Sequence, residues 1–529
     1  MSYYGTITIN GTECIGTSLS SINFNAINFD TLLYGLSGQV SSIKPTNASS
    51  IAIGWEDDYT CGNQNHFYIM YDNTVRGVGL NSSYQLAALN NGSYAVTPEI
   101  CCINNWNPNT DSIIAVYNCA NNAYLLSKNG RVWVSGYCAY GISGGAGTNG
   151  TNLPFFTNIT ALNSVVVTKL AISRATPGTQ NISIYALTNN GKIYAWGDNT
   201  VGQLGLGITG GIISTPTLIS DSYTYTDIMA GGLGGATYMM AIANDGSSTY
   251  VRSCGYNGYG QLGLGNNTSS NTLQTLQTIG SILNSNADRI VAFRNSGSEN
   301  GRGSVFFISA NGKLWSCGNN LWGQLGLPIT ANDSVNNYTP LQITTGDIGS
   351  NVVDLQCTCA AYGGVSVCAL LSNGKIRTWG YNGYGVIGNA GNSNSVTTPT
   401  SPNVDFTDVK SISIASNGSS VIIRDIGNNG VLNYTVWTCG CNVQGQLGLG
   451  DFNAAGSSHW TYSQVPLAIG SGVYVVKARF AQRDNNQCAT LQIMLSNGTI
   501  LVAGYDGYYA LGNDQGTTSA RWLPTLVRF

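Results

Sequence analysis

One loop motif recurs eight times along this 529-residue chain, and each copy begins at a glycine that ends a short apolar run. The steps between successive copies run from 57 residues (Gly79 to Gly136) to 64 residues (Gly440 to Gly504). A fixed period that fills a chain indicates one supersecondary unit stacked repeatedly. The eight anchor glycines are Gly79, Gly136, Gly197, Gly255, Gly318, Gly380, Gly440 and Gly504.

Each repeat unit has the content of four short β-strands. An Asn-Gly or Asp-Gly dipeptide such as Asn190-Gly191 precedes the anchor glycine in seven units, and it supplies the positive φ that a two-residue hairpin turn needs. An apolar run lies before this turn, an alternating strand such as residues 192–196 lies after it, and a proline-marked extended segment follows the loop. Four strands per unit with little helical periodicity predict an all-β fold, a single β-propeller over residues 48–529. We predict about eight four-stranded blades, with seven as the alternative.

The motif resembles the regulator-of-chromosome-condensation repeat, a family of β-propellers. The resemblance is carried by Asn-Gly-Lys, an aromatic strand, Trp-Gly, Asn and then Gly-Gln-Leu-Gly-Leu-Gly, and it covers roughly residues 50–529. Unit six departs from the pattern at residues 386–388, where the glutamine is missing. Propellers of this family usually have seven blades, so eight copies are a departure. The motif glutamine is present in the four most similar units as Gln203, Gln261, Gln324 and Gln446.

Composition restricts the classes of function. Charged residues are 9% of the chain, 21 basic and 24 acidic, against about a quarter in typical soluble domains. This balance lacks the basic surface of a nucleic-acid-binding protein, so we expect no nucleic-acid partner. No run approaches the ~18 apolar residues of a membrane span, so we expect no membrane insertion. The start of the chain lacks the pattern of a signal peptide, which favours assembly in a host cytoplasm over secretion.

The 14 cysteines are interpreted as free thiols. Cysteine stands before the anchor glycine in three units (Cys254, Cys317 and Cys439), where other units have tryptophan or alanine. It therefore occupies one packed position as a small apolar side chain. Pairs such as Cys357 and Cys359 have one-residue spacing, unlike the two-to-four spacing of zinc ligands. We expect no disulfide framework, no metal and no cofactor.

The sequence offers no catalytic constellation. Both histidines, His66 and His459, stand beside aromatic residues, which is typical of structural histidines. The acidic run at residues 56–58 is interpreted as a solvated loop rather than a calcium site. We therefore expect no catalytic residue and no enzyme activity.

An aromatic residue stands four positions after the anchor glycine in five of the eight units. Because equivalent loops of a propeller emerge on one face, these rings are expected to form a broken circle there. Tyrosine and tryptophan give a large contact area at low entropy cost and stack on sugars or protein side chains. The alternative is that each ring packs on its own loop or on the neighbouring blade. The candidate receptor-binding residues are Tyr140, Tyr259, Trp322, Tyr384 and Tyr508.

Residues 1–47 form an N-terminal arm outside the repeats. The arm resembles short N-terminal pieces of structural proteins of marine and cyanobacterial bacteriophages, on the strength of Asn10-Gly11, Cys14-Ile15-Gly16 and the run near residues 22–25. It also contains one apolar stripe spaced three and four residues apart, typical of an amphipathic helix. The resemblance implies a virion anchor, and the alternative is a plug that packs on a propeller face. The anchor residues are Leu19, Ile22, Ala26, Phe29 and Leu33.

Taken together, these features favour a non-enzymatic virion surface protein, a phage tail-fibre, spike or capsid-fibre component that binds a host receptor. Its expected partners are other virion proteins through the arm and a host surface glycan or protein, with a second copy of the chain as a further candidate. The alternatives are a regulatory protein-binding propeller of the exchange-factor kind and a secreted adhesin or inhibitor. An exchange-factor role is expected to need a charged face and a basic tail, which the sequence lacks.

Overall fold

The computed structural model describes residues 7–9, 12–14, 48–52, 65–88, 92–119, 121–173, 181–245, 248–276, 290–296, 301–328, 336–358, 364–391, 393–415, 418–427, 433–451, 458–482, 489–506, 509, 511–512 and 521–527. These residues contain 34 β-strands and two 3₁₀ turns, Thr160–Leu162 and Gly234–Ala236, and no α-helix occurs among them. The predicted all-β class is confirmed.

The strands are short and evenly distributed along the chain. In the first half they are β1 (Ile7–Ile9), β2 (Thr12–Cys14), β3 (Ala48–Ala52), β4 (Asn65–Met70), β5 (Val75–Leu80), β6 (Tyr94–Ile100), β7 (Ile113–Cys119), β8 (Asn122–Ser127), β9 (Val132–Cys138), β10 (Thr151–Asn158), β11 (Val167–Ile172), β12 (Ser183–Thr188), β13 (Ile193–Asp198), β14 (Ile212–Leu218), β15 (Thr224–Gly231), β16 (Tyr238–Asn244), β17 (Thr249–Gly255) and β18 (Ser270–Thr275). In the second half they are β19 (Ile290–Ser296), β20 (Ser304–Ser309), β21 (Leu314–Asn319), β22 (Asn336–Gln342), β23 (Val352–Cys357), β24 (Ser366–Leu371), β25 (Ile376–Tyr381), β26 (Ser395–Thr400), β27 (Val409–Ala415), β28 (Ser419–Asp425), β29 (Tyr434–Cys441), β30 (Ser458–Gln464), β31 (Val475–Gln482), β32 (Ala489–Leu495), β33 (Ile500–Gly504) and β34 (Arg521–Leu526).

Strands β3 to β34 form eight antiparallel sheets of four consecutive strands, and β1 pairs with β2 in a separate hairpin. The sheets are the eight blades of a propeller, numbered here from blade 1 (β3–β6) to blade 8 (β31–β34). The count of eight blades is confirmed, and the seven-blade alternative is wrong. The eight anchor glycines all end up on the third strand of a blade or at its end.

Burial follows the position of a strand within its blade. The first strands of blade 1 and of blades 3 to 7 each contact the first strand of the next blade, which places them at the ring axis. The second strand is buried on both faces, as in β12, and for this reason it reads as a continuous apolar run. The fourth strand is largely exposed, as in β14, and lies at the outer edge. Proline lies in the fourth strand of six blades, where a missing N–H protects an open edge from further pairing.

Apolar side chains hold the blades together. Eight clusters of buried residues lie one at each interface between successive blades, and the eighth joins blade 8 to blade 1 through residues such as Met494 and Tyr68. The ring is therefore closed by packing. Four of the ten tryptophans, Trp133, Trp196, Trp315 and Trp379, are fully buried in this core.

The antiparallel order decides which loops share an end of the ring. Loops between the first and second strands and between the third and fourth strands lie on one face, here called the repeat-loop face. Hairpin turns between the second and third strands, together with the links between blades, lie on the opposite turn face. The predicted Asn-Gly turns occupy these hairpins. At Gly191, φ is +72° and an added Cβ would lie 2.3 Å from Thr224 Cγ2, so only glycine fits.

Candidate functional site

The side chain two residues after the anchor glycine closes the repeat loop in seven of the eight blades, all except blade 2, where Cys138 stands at this position. Asn199 of blade 3 is fully buried; its Oδ1 accepts a hydrogen bond from the Leu204 N–H at 3.1 Å, and its Nδ2 donates to the Ile208 carbonyl at 3.1 Å. Asparagine recurs at this position in the repeat motif, but its role in the loop was not predicted. The same side-chain-to-amide bond joins Asn81 to Leu86, Asn257 to Leu262, Asn320 to Leu325, Asn382 to Ile387, Asn442 to Leu447 and Asp506 to Leu511.

The motif glutamine fixes the tip of the same loop. Gln203 Oε1 accepts a hydrogen bond from the Val201 N–H at 2.9 Å, while Gln203 Nε2 donates to Asp198 Oδ2 at 2.9 Å. The glutamine therefore holds the backbone of the residue four positions after the anchor glycine, the position predicted to bind a receptor. The same bond joins Gln261 to Tyr259, Gln324 to Trp322 and Gln446 to Gln444.

The residue before the anchor glycine ties each blade to the loop of the preceding blade. It donates to a backbone carbonyl of that loop at six of the eight interfaces, whereas Val78 and Ala503 at the other two have no donor. The cysteines at this position are thus weak donors as well as small apolar side chains, a role that the sequence interpretation missed. The six pairs are Ser135 with Gln85, Trp196 with Ile142, Cys254 with Gln203, Cys317 with Gln261, Trp379 with Gln324 and Cys439 with Val386.

Loops also press against the outer strand of the next blade. At Gly202, φ is +78° and an added Cβ would lie 2.4 Å from the Asn271 Cβ on β18 of blade 4. Blades 1 and 8 instead place Tyr84 and Tyr509 at this position with φ of 64° and 61°. The Tyr509 ring packs edge-on against Tyr94 of blade 1 at 5.8 Å between centroids. Where blade 8 meets blade 1, packing between two tyrosine rings thus replaces the contact of a loop glycine with the next blade.

Four of the five predicted receptor-binding residues lie in described loops of the repeat-loop face. Tyr140 is 41% exposed. Tyr259, Trp322 and Tyr384 are half-buried, and Tyr384 packs on Gly418 of blade 7. Tyr508 lies outside the described residues. Tyr140 is therefore the most accessible of the four described residues, while the other three are partly exposed and Tyr384 also packs against the scaffold.

An aromatic row crosses from blade 5 to blade 6 on this face. The Trp322 and Tyr381 rings are 5.1 Å apart, and the Tyr381 and Tyr384 rings are 6.3 Å apart, both edge-on. Burial, with a smaller effect of Tyr384, raises the pKa of Tyr381, so its hydroxyl stays protonated and able to donate. Tyr381 directly follows an anchor glycine, a position the sequence analysis did not examine. The structure thus joins two predicted residues through an unpredicted third.

Exposed apolar side chains accompany this row. Ile208 is 51% exposed, Leu321 40% and Tyr94 39%, and all three lie in or beside repeat loops. The described loops of this face contain only three charged residues, Arg302, Asp451 and the buried Asp506. Ordered loops on a rigid scaffold are where binding residues are most often found.

The turn face differs from the repeat-loop face in its ion pairs. Arg424 makes two 2.8 Å hydrogen bonds to Asp408, and its guanidinium stacks on the Phe406 ring at 4.6 Å. Lys375 and Arg377 both bind Asp405, at 2.6 and 3.0 Å. These ion pairs join the links between blades to the strands, and we assign them a structural role.

The remaining predicted features have the following positions. His66 is buried in β4, and burial, followed by the charge of Arg479, lowers its pKa to about 3. His459 Nε2 lies 2.9 Å from Asp451 Oδ2. In the described part of the chain no three His, Cys, Asp or Glu side chains are placed to hold a metal, and no helix is long and apolar enough to cross a membrane. The acidic run 56–58 and the anchor residues Leu19, Ile22, Ala26, Phe29 and Leu33 lie outside the described residues.

Comparison with known families places the repeat. The family model described as "Regulator of chromosome condensation (RCC1) repeat" matches residues 190–233, which contain the hairpin turn, anchor glycine and repeat loop of blade 3. The chain is an RCC1-repeat β-propeller. Nothing in the comparisons supports the predicted resemblance of the first 45 residues to phage proteins, which stays a prediction.

The curated relatives match parts of the propeller. The human E3 ubiquitin-protein ligase HERC2 is 25% identical over 329 residues, which are 61% of this chain and 6% of the ligase. An RCC1 domain-containing protein of Dictyostelium discoideum is 30% identical over 26% of this chain and 30% of its own length. The mouse secretion-regulating guanine nucleotide exchange factor is 34% identical over 26% of each chain. The chain thus spans well under half the length of these relatives.

Solved structures of similar fold include yeast RCC1 (Prp20) bound to Kap60 and human WBSCR16. The yeast protein is 15% identical, with 85% of this chain and 83% of that chain covered and a TM-score of 0.49. The human protein is 16% identical, with 75% and 94% covered and the same TM-score.

Proposed function

We propose that this propeller is a protein-binding module that holds its partner on the repeat-loop face. One observation supports this most directly: exposed apolar side chains, including Tyr140 and Leu321, stand on a face whose described loops carry few charges. Burying such side chains against a partner removes apolar surface from water, which is the main favourable term in association. The turn face also exposes apolar side chains, such as Tyr71 and Val404, but its described links and hairpins contain ion pairs such as Arg424 with Asp408.

The loop framework suits this role because it is already ordered. The Asn199 and Gln203 side chains fix the loop of blade 3 from both ends, and equivalent bonds recur around the ring. A loop held in this way loses little conformational entropy when a partner binds. Tyrosine and tryptophan at the loop tips add contact area with few rotatable bonds.

Exchange-factor activity is a second candidate. It is favoured by the 34% identity to a protein named a secretion-regulating guanine nucleotide exchange factor. In that case the bound partner would be a small GTPase. The low charge of the described repeat loops argues for the broader protein-binding function over this specific form.

Receptor binding by a virion protein is a further form of the same function. Its support comes from the sequence of the arm, of which the structure describes only β1 and β2 before Ala48. Virion location and host binding therefore stay predictions from the sequence of the arm, and the structure of the propeller does not bear on them.

Site-specific photocrosslinking tests the proposal. A photoreactive amino acid replaces Leu321 or Tyr140 on the repeat-loop face, or Tyr71 and Val404 as controls on the turn face, where they are 57% and 41% exposed. We expect a discrete protein adduct from the first pair and none from the second. Equal adducts from both faces, or adducts from the turn face alone, would contradict the proposal.

The affinity for the identified partner then shows how much these side chains contribute to binding. The double variant Leu321→Ser/Tyr140→Ser should weaken binding at least about tenfold while leaving the melting temperature nearly unchanged. For the exchange-factor candidate, release of labelled GDP from a panel of small GTPases should accelerate with the wild-type propeller and not with this variant. Partner binding without accelerated release would retain the general proposal and exclude the exchange-factor form.

A further inference from the structure

The ring is closed without any exchange of strands. Blade 1 is built from β3–β6 and blade 8 from β31–β34, so no strand is shared between the two ends of the propeller. Among the described residues, apolar packing joins these blades through Met494, Val502 and Leu511 of blade 8 and Tyr68 and Val78 of blade 1. The residues at the centre of the closing interface are therefore important for holding the ring together.

This interface lacks a bond that most of the others have. The residue before the anchor glycine of blade 1 is Val78, which has no donor for the loop of blade 8. At the interface between blades 5 and 6 the equivalent residue is Trp379, which donates to Gln324 at 2.8 Å. The contact of a loop glycine with the next blade is also replaced here by Tyr509 against Tyr94.

Polar side chains occupy the centre of the closing interface. Counted from the residue that pairs with the anchor glycine, His66 is the next residue on β4 and Gln492 is the second on β32. The equivalent residues at the interface between blades 3 and 4 are Met239 and Tyr185, which pack in one apolar cluster. By this repeat equivalence His66 and Gln492 face each other across the junction.

Neither side chain has a hydrogen-bond partner among the residues that the structure describes. His66 is 4% exposed and Gln492 fully buried, and both ring nitrogens of His66 and both amide atoms of Gln492 are unpaired. Four unpaired buried polar atoms at one junction would cost much of the free energy of closing the ring. Native proteins meet this cost with an internal polar ligand.

We propose that the interface between blades 8 and 1 is an internal water site, in which bound water bridges His66 and Gln492. An imidazole in its neutral form offers one donor and one acceptor, and an amide offers both kinds, so the ligand must donate and accept at once. Water does so, whereas a halide only accepts and a metal cation cannot bind the amide N–H. The two ring nitrogens of an imidazole point in different directions, so one water can bridge one of them to the Gln492 amide and the other nitrogen needs a second water.

A high-resolution crystal structure of the full chain is the direct test. The expected result is density for at least one water within hydrogen-bond distance of both His66 and Gln492. A direct hydrogen bond between the two side chains with no water, or a side chain of residues 53–64 in the same place, would overturn the proposal.

Variants provide a second test that does not depend on crystals. His66→Leu and Gln492→Leu alone should each raise the unfolding equilibrium constant roughly tenfold, because each leaves its partner and the water with unmet hydrogen bonds. The double variant His66→Leu/Gln492→Leu should return to within about threefold of wild type, since an apolar pair displaces the water. His459→Leu, at the half-buried histidine of β30, is the control and should change little. Additive loss in the double variant would show that the two residues do not share one site and would refute the proposal.

Discussion

The indole N–H of Trp379 in blade 6 donates a 2.8 Å hydrogen bond to the backbone carbonyl of Gln324 in blade 5. Gln324 in turn holds the N–H of Trp322 through its side chain at 2.8 Å. The repeat loop is thus connected on one side to its own tip and on the other to the core of the next blade. The same residues stabilise the loop shape and the blade packing. We therefore expect substitutions in the core to change the conformation of the loops on the repeat-loop face.

Trp379→Phe removes the donor while keeping an aromatic ring. The Gln324 carbonyl would then be buried without this partner, and we expect a loss of about 1–3 kcal/mol in the free energy of unfolding. Chemical denaturation measures it. Trp437→Phe is the matched control, because the half-buried Trp437 donates only to the nearby Thr435 hydroxyl and should cost less than about 1 kcal/mol. Equal losses in both variants would contradict the link between blades.

Asn257→Ala should loosen the loop of blade 4. Asn257 is fully buried; its Oδ1 accepts from the Leu262 N–H at 2.9 Å, and its Nδ2 donates to the Asn266 carbonyl at 2.9 Å. Loss of both bonds is expected to cost about 1–3 kcal/mol and to speed hydrogen exchange at the Leu262 amide. Asn257→Asp keeps the acceptor, as Asp506 does in blade 8, and should preserve exchange protection better than alanine. Gln274→Ala, an exposed change on β18, should leave that amide unaffected.

Much of the fold could be predicted from the sequence because the same turn residues recur in nearly every repeat unit. Asn190-Gly191 and its equivalents require positive φ, and the period between anchor glycines fixes one blade per unit. The blade count follows from counting units.

The candidate site was predicted less well. The spacing of the repeats shows on which face of the propeller a residue lies, but not how much of its side chain is exposed. Tyr140 and Tyr384 share one position in the repeat, yet Tyr384 packs on Gly418 whereas Tyr140 is 41% exposed. The difference depends on the first loop of the next blade, which lies far along the chain. The role of Asn199 was open to prediction from its recurrence two residues after the anchor glycine, but its partner Leu204 is decided by the fold of the loop.

Acid should destabilise the propeller through His66. Burial, with the charge of Arg479, lowers its folded pKa to about 3, whereas the unfolded value is 6.5. Above pH 6.5 the side chain is neutral in both states and stability does not change with pH on its account. Below 6.5 the unfolded state alone takes up a proton, so stability falls by about 1.4 kcal/mol per pH unit down to about pH 3.

The measurement compares denaturant unfolding of wild type and His66→Leu at pH 7.5 and pH 5, values of about one unit either side of the unfolded pKa. The variant should lose less stability than wild type over this interval by about 2 kcal/mol. His459→Asn, a change at the other histidine, should retain the wild-type loss. An unchanged pH dependence in His66→Leu would show that His66 is not buried as a neutral group.

Thiol reactivity should separate the folded from the unfolded chain. The ten cysteines whose side chains the structure describes are buried, and burial raises the pKa of Cys254 to about 12 against the smaller effect of Arg252. A thiolate is the reactive form, so these thiols should react slowly in the native protein. In denaturant a thiol reagent should count close to all 14 cysteines. Two or more stable disulfides would refute the interpretation of the cysteines as packed thiols.

Deletion of residues 1–47 should leave a folded propeller. Apolar clusters made only by residues 67–527 occupy all eight interfaces between blades, so the ring does not need the arm to bury its core. We expect a melting temperature within about 2 °C of the full chain, measured by calorimetry. The full chain with Ile22→Asp/Phe29→Asp is the control, because it removes the apolar stripe without removing the arm, and it should behave in the same way. A drop of more than about 5 °C in both proteins would mean that the stripe packs on the propeller as a plug. Unchanged stability leaves the stripe available to another chain, and if the protein belongs to a virion, the same two variants should fail to be incorporated into the particle.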